Sequence, residues 1–298
     1  WSGGIDYASI NTSVTAGEGA SLGNAGSVNL SATWWGEPGG GDIVGGDIIA
    51  SAFASSAWSY KSVGDHGSVT LAVHGSGEID VGTIDTRMSA APGTYAGNYG
   101  DLGHVTLSTE GGSISTGTIT TAVQGDGWVY GSAGNVELTS QGGSITTGAI
   151  ITAVLGNGWV DGSAGHVTLS ACGGGCGDIN VNGSIDTSAT GSGQLYSSGG
   201  HVSLTGNTIF VDGDILTGVE NNNGAWMGDA GHVWLSAGGA VTVDGSIDSS
   251  AYASSQGAWV GNAGEVWISA GSDVSIGSID SSAYAVGANS RAGNAGMV

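Results

Sequence analysis

Positive charge is nearly missing from this chain: 3 Lys+Arg stand against 25 Asp+Glu in 298 residues, a formal net charge of −22. A surface of that sign repels phosphate backbones and anionic headgroups, which excludes nucleic acid as a partner and gives no route to membrane insertion. Proline is almost absent, with 2 residues, and cysteine is limited to 2. Two cysteines cannot close a zinc site by themselves or supply a disulfide framework. No run approaches the roughly 18 consecutive apolar residues of a membrane-spanning helix. No signal peptide is visible, and Trp1 is not an initiator residue, so the chain reads as processed or excerpted.

What the chain has instead is glycine and a good deal to bury. It carries 61 Gly and 10 Trp, and 39% of its residues are hydrophobic, too apolar for plain disorder. The glycines are periodic. A Gly-x-x-Gly-x-Val-x-Leu core places its valine at Val28, Val69, Val105, Val136, Val167, Val202, Val233, Val266 and Val298, in steps of 41, 36, 31, 31, 35, 31, 33 and 32 residues. About ten residues later comes Gly-x-Ile-x-x-Gly-x-Ile-Asp/Thr-Ser/Thr, as in GEIDVGTIDT from Gly77 and GSISTGTITT from Gly112. Periods of 20 to 50 residues belong to solenoids, propellers and arrays.

No repeat contains a helix-length apolar stripe. Each holds short period-2 runs, such as His166–Ser170, where Val167 and Leu169 face one way and His166 and Thr168 the other. Three such runs fit one repeat: Val-x-Leu, Gly-x-Ile, and x-Ile-Asp-Thr leading into a variable segment. A propeller blade needs four antiparallel strands and about 40 residues. The expectation is therefore an all-β parallel β-helix of about nine coils of 31–41 residues, three short strands per coil. It forms a single domain over 1–298, with looped-out insertions near 32–62 and 87–100 around the two prolines, Pro38 and Pro92. Equivalent Val, Leu and Ile residues then stack at about 4.8 Å, and nine anchors give a rod of about 40 Å.

Strings such as GHVTLS (Gly165–Ser170) and GSITTGAI (Gly143–Ile150) resemble the glycine-rich repeats of filamentous-haemagglutinin-type bacterial surface exoproteins. The resemblance covers essentially the whole chain and is specific for architecture rather than activity. It implies secretion, an extracellular or cell-surface location, an elongated right-handed rod, and a role in adhesion or surface assembly.

Four groups of residues invite a chemical reading. The position before the anchor valine is histidine at His104, His166, His201 and His232. Three of these, His166, His201 and His232, fall in consecutive coils and form either a hydrogen-bonding ladder or weak candidates for a metal. Asp85, Asp186, Asp248 and Asp280 share one slot, and the adjacent pair Asp248 and Asp280 supplies at most part of a Ca2+ shell. Trp58, Tyr95, Trp128, Trp159, Tyr196, Trp226 and Trp259 recur in the variable segment, with Trp234 and Trp267 on an outward strand position. They read either as edge ladders or as an aromatic stripe for protein packing or glycan contact. Cys172 and Cys176 in ACGGGCGD lack redox CxxC spacing and suit a small disulfide loop at a corner.

Catalysis is not expected. Polysaccharide lyases and hydrolases also use β-helices, but they need clustered carboxylates or a basic residue near a bound uronate. Here only Lys61, Arg87 and Arg291 are basic, and they are widely spaced. Short threonine ladders, Thr116/Thr147 and Thr121/Thr152, raise ice binding as a further reading. The last residues, GNAGMV, begin a coil that WSGGID at the start resembles completing. That suggests either a longer repeat protein or protomers joined head to tail, with self as the main partner and glycans or a host surface as others.

Overall fold

The computed structural model describes residues 3–16, 23–33, 41–54, 66–90, 96–97, 103–125, 129–173, 175–223 and 226–298. Among these every regular element is a strand, every pairing between named strands is parallel, and the sheets stack as a β-solenoid with three sheets per coil.

The Val-x-Leu runs make an eight-stranded sheet, from Val28–Thr33 to Val266–Ala270. Its register joins identical residues: Val136 lies between Val105 and Val167, and Leu138 between Leu107 and Leu169. That is one strand fewer than the nine valine anchors of the sequence. Val298 lies outside any strand, although the neighbouring Met297 carbonyl accepts the Val266 amide at 2.9 Å. The two isoleucine runs of each coil form a second sheet. Ile79, Ile114 and Ile145 stack in one column and Ile84, Ile119 and Ile150 in another. The columns fuse in the long strands Val241–Asp248 and Val274–Asp280. A third, nine-stranded sheet runs from Val14–Ala16 to Ala283–Ala285.

Strand alternation decides what is buried. In Val136–Ser140 the side chains of Val136, Leu138 and Ser140 point inward and Glu137 points out. Each Val, Leu or Ile so enclosed contributes about 1.5–3 kcal/mol. The same alternation overturns the ice-binding reading: Thr116, Thr121, Thr147 and Thr152 are all buried, so none forms a flat hydroxyl face in solvent. The spans expected as insertions, 32–62 and 87–100, contain strands. Ile43–Gly45, Ile48–Ile49, Ala52–Ala54 and Met88–Ala90 continue the sheets, because their apolar residues extend existing columns. The remainder of those spans, at 34–40, 55–62, 91–95 and 98–100, and with it Pro38 and Pro92, lies outside the described residues.

The buried threonines have a different task. Thr152 Oγ1 donates to the Gly165 carbonyl at 2.6 Å, while the Gly165 amide donates to the Thr152 carbonyl at 2.9 Å. Thr187 with Gly200 and Thr217 with Gly231 repeat the pair, and Ser249 with Gly264 does so with serine. Each clasp closes a coil across its waist. On one side lies the large core containing Ile150 and Val167; on the other lies a smaller one containing Val154 and Ala164. A buried hydroxyl satisfied in this way contributes about 1 kcal/mol, and the carbonyl it leaves bare on removal costs more.

The clasp glycines admit no side chain, because the carbonyl of the preceding coil sits where a Cβ would be. At Gly165 that atom would lie 2.0 Å from the Gly134 oxygen. Gly165→Ala is therefore expected to lower the unfolding midpoint in urea sharply. Gly175→Ala, whose Cβ meets nothing within 4 Å, should leave it almost unchanged.

Candidate functional site: ladders of side chains along the stack

Parallel strands hydrogen-bond rung to rung, but at the corners the backbone turns away and amides need other acceptors. Side chains supply them. The amide of Glu78 donates to Asp42 Oδ1 at 2.9 Å, Thr83 to Asp47 at 2.8 Å, and Asn262 to Asp229 at 2.6 Å, each one coil away. Asp178 receives the Thr208 hydroxyl, the Asn207 amide group and the Thr208 backbone amide; these bonds hold its carboxyl below the usual range. Asp214 is lowered likewise by the Ser246 backbone amide and hydroxyl.

The histidine column is the longest of these ladders. The amide of Asn135 donates to His104 Nδ1 (2.9 Å), His166 to Asn135 Oδ1 (2.8 Å), His201 to His166 Nδ1 (2.9 Å), His232 to His201 Nδ1 (2.8 Å) and Glu265 to His232 Nδ1 (2.8 Å). The rings of His166 and His201 stack at 4.7 Å and 4°, and those of His201 and His232 at 4.9 Å and 11°. Parallel ring planes direct their nitrogen lone pairs side by side rather than toward one point, which is the wrong arrangement for a tetrahedral metal. Among the described residues no three His, Cys, Asp or Glu side chains gather to hold a metal ion.

Asp248 and Asp280 are register partners in adjacent coils. Each Oδ1 accepts the amide two residues on, from Ser250 at 2.8 Å and Ser282 at 2.9 Å, as Asp85 and Asp186 do for Arg87 and Ser188. This is the Asx turn that leads each coil into its third sheet. Cys172 and Cys176 are joined in a disulfide. It closes the extra length of the 171–178 corner, where the preceding coil needs only 141–144.

The aromatic residues singled out in the sequence fall into three sets among the described residues. Trp226 and Trp259 stack at 4.8 Å, and the Arg291 guanidinium lies 4.9 Å above the Trp259 ring, so arginine occupies the next rung of the aromatic column. Trp159 packs on Tyr196 at 5.5 Å, since Gln194 takes the slot between the tryptophans and its aromatic neighbour stands two residues later. Trp58, Tyr95 and Trp128 lie outside the described residues. Trp234 and Trp267 are register partners on the outer face of the valine sheet, 39% and 54% exposed. Trp234 flanks the His201 and His232 rings at 5.6 and 5.3 Å, and Trp267 Nε1 donates to Glu265 at 3.3 Å.

The sequence did not single out Arg291 as part of the aromatic column, nor Asp178, Asp214 and Asp229 as corner acceptors. Aligning each coil on its last residue before the strand, where Asp229, Asn262 and Asn294 coincide, is the signal that finds the last of these. Comparison with protein-family models, curated proteins and solved structures found no match to this chain.

Arg291→Gln keeps the first part of the aliphatic stem and removes the charge over Trp259. The loss expected is about 0.5–1 kcal/mol in chemical denaturation, with a change in tryptophan emission that Trp259→Leu abolishes.

Proposed function

We propose that this chain is a structural segment of an extracellular or cell-surface filament, of the kind its resemblance to filamentous-haemagglutinin-type repeats implies. The observation that carries this reading is the identity of successive rungs. Val, Leu, Ile, Gly and Thr recur in register from coil to coil, so each coil is a template for another like it. Growth along the axis, by more of the same chain or by a second copy, then continues the ladders without a new interface. Conserved geometry serves length and stiffness here, and the acidic surface keeps neighbouring rods apart laterally. Imaging of the native source material should show filaments, with fibre diffraction giving a spacing of about 4.8 Å along the axis. Dispersed monomers in that material, or turnover of a polysaccharide by the purified chain, would overturn the proposal.

A second reading, glycan contact on the flank of such a filament, rests on the exposed tryptophans. Trp226, Trp259, Trp234 and Trp267 all present large apolar area to solvent, and aromatic faces flanked by hydrogen-bonding groups suit sugar rings. The pair Trp234 and Trp267 stands beside His201, His232 and Glu265. On immobilised neutral glycans, Trp234→Ala combined with Trp267→Ala should weaken retention by about tenfold, corresponding to one or two stacking contacts. Unchanged retention would assign these side chains to packing alone.

A further inference from the structure

The imidazole ladder has a property that neither reading requires. A neutral imidazole carries one ring proton. At His166, His201 and His232 the Nδ1 atom accepts a backbone amide from the next coil, so the proton resides on Nε2. Imidazolium has N–H on both nitrogens, and its Nδ1–H would point straight at the amide hydrogen it now accepts. Its charge would also lie 4.7–4.9 Å from a parallel neighbour.

We infer that the His166–His201–His232 column is a proton-sensitive seam: acid removes the amide acceptors of three consecutive coils together and loosens the corner that leads into the valine sheet.

The surroundings reinforce this. Asp229 and Glu265 line the same recess as His232. Glu137 stands on the outer face beside the His166 end, paired with Thr168. Both groups of carboxylates are at the ends of the column; the outward neighbours Thr168, Ser203 and Trp234 carry no charge. The titratable groups stacked on His201 are thus imidazoles, and its other ring neighbour, Trp234, is uncharged. Burial, and then the adjacent His166 and His232, push it down to about 4, and burial lowers His166 as well.

The sign follows. An unfolded or opened histidine takes up its proton near 6.5, whereas the stacked His201 resists to about 4. The contribution of His201 is complete above the higher value and is lost as pH falls through the lower one.

The chain itself provides the control, because Asn135 fills the same slot and its Oδ1 accepts the His166 amide at 2.8 Å without titrating. Replacing His166→Asn, His201→Asn and His232→Asn together should keep the ladder and remove the pH response. The measurement is amide hydrogen exchange on the full chain between pH 7 and 4.5, with imidazole nitrogen shifts recorded in parallel. In the parent, the rings should show the Nε2–H tautomer at neutral pH. Protection at the amides of His201 and His232, whose acceptors are His166 and His201, should fall by about tenfold for each pKa unit by which the closed state resists protonation. In the asparagine variant protection should stay level. If the triple variant does not fold, His201→Asn alone should flatten the response at the His232 amide. Equal loss in parent and variant, level protection in the parent, or an Nδ1–H tautomer at neutral pH would each overturn the inference.

Discussion

Most strand amides among the described residues find their acceptor in the adjoining coil, and that requirement organises much of the rest. In a globular domain a polar backbone group can be satisfied within its own helix or by a hairpin partner. In a stack of coils the partner that a strand offers is the same position one turn along. Satisfying that demand forces the coils into register, and register then forces like residues over like. The valine, leucine and isoleucine columns are a consequence of it as much as a cause of the fold. Where the chain turns a corner and the carbonyls swing away, the demand persists, and Asp, Asn, Ser and His side chains meet it.

Seen in that way, residues that look like functional ligands are mostly structural acceptors. The aspartates after the second isoleucine hold a turn. Histidine before the anchor valine holds the next coil's amide. Threonine between the two cores holds a glycine carbonyl. Column membership is also why Asn and Ser replace His in some coils: an acceptor suffices there, and only at three successive rungs do rings come to lie face to face.

The repeat frame was legible in the sequence because burial has a period of two within a strand and about 31 residues between strands, and both are visible in Val167 and Leu169 against Val136 and Leu138. The clasps were not. Thr152 and Gly165 are separated by a variable segment, and nothing local distinguishes a threonine that bonds across the coil from one in solvent. Counting two residues on from Ile114 does place Thr116 indoors, so the ice-binding expectation failed by overlooking an alternation that was available. The aromatic column was legible as a recurrence but not as a geometry: Gln194 shifts the stack to Tyr196, and Arg291 continues it by charge rather than by ring.

The waist that each threonine–glycine clasp draws between the large and small cores also bears on mechanics. A coil pinched into two unequal lobes is longer in one direction than across it. A beam of that section bends more readily about one axis than the other, and its torsional compliance concentrates where the lobes join. A filament built from it would have a preferred plane of curvature, set by a row of small hydroxyl side chains that never meet the solvent.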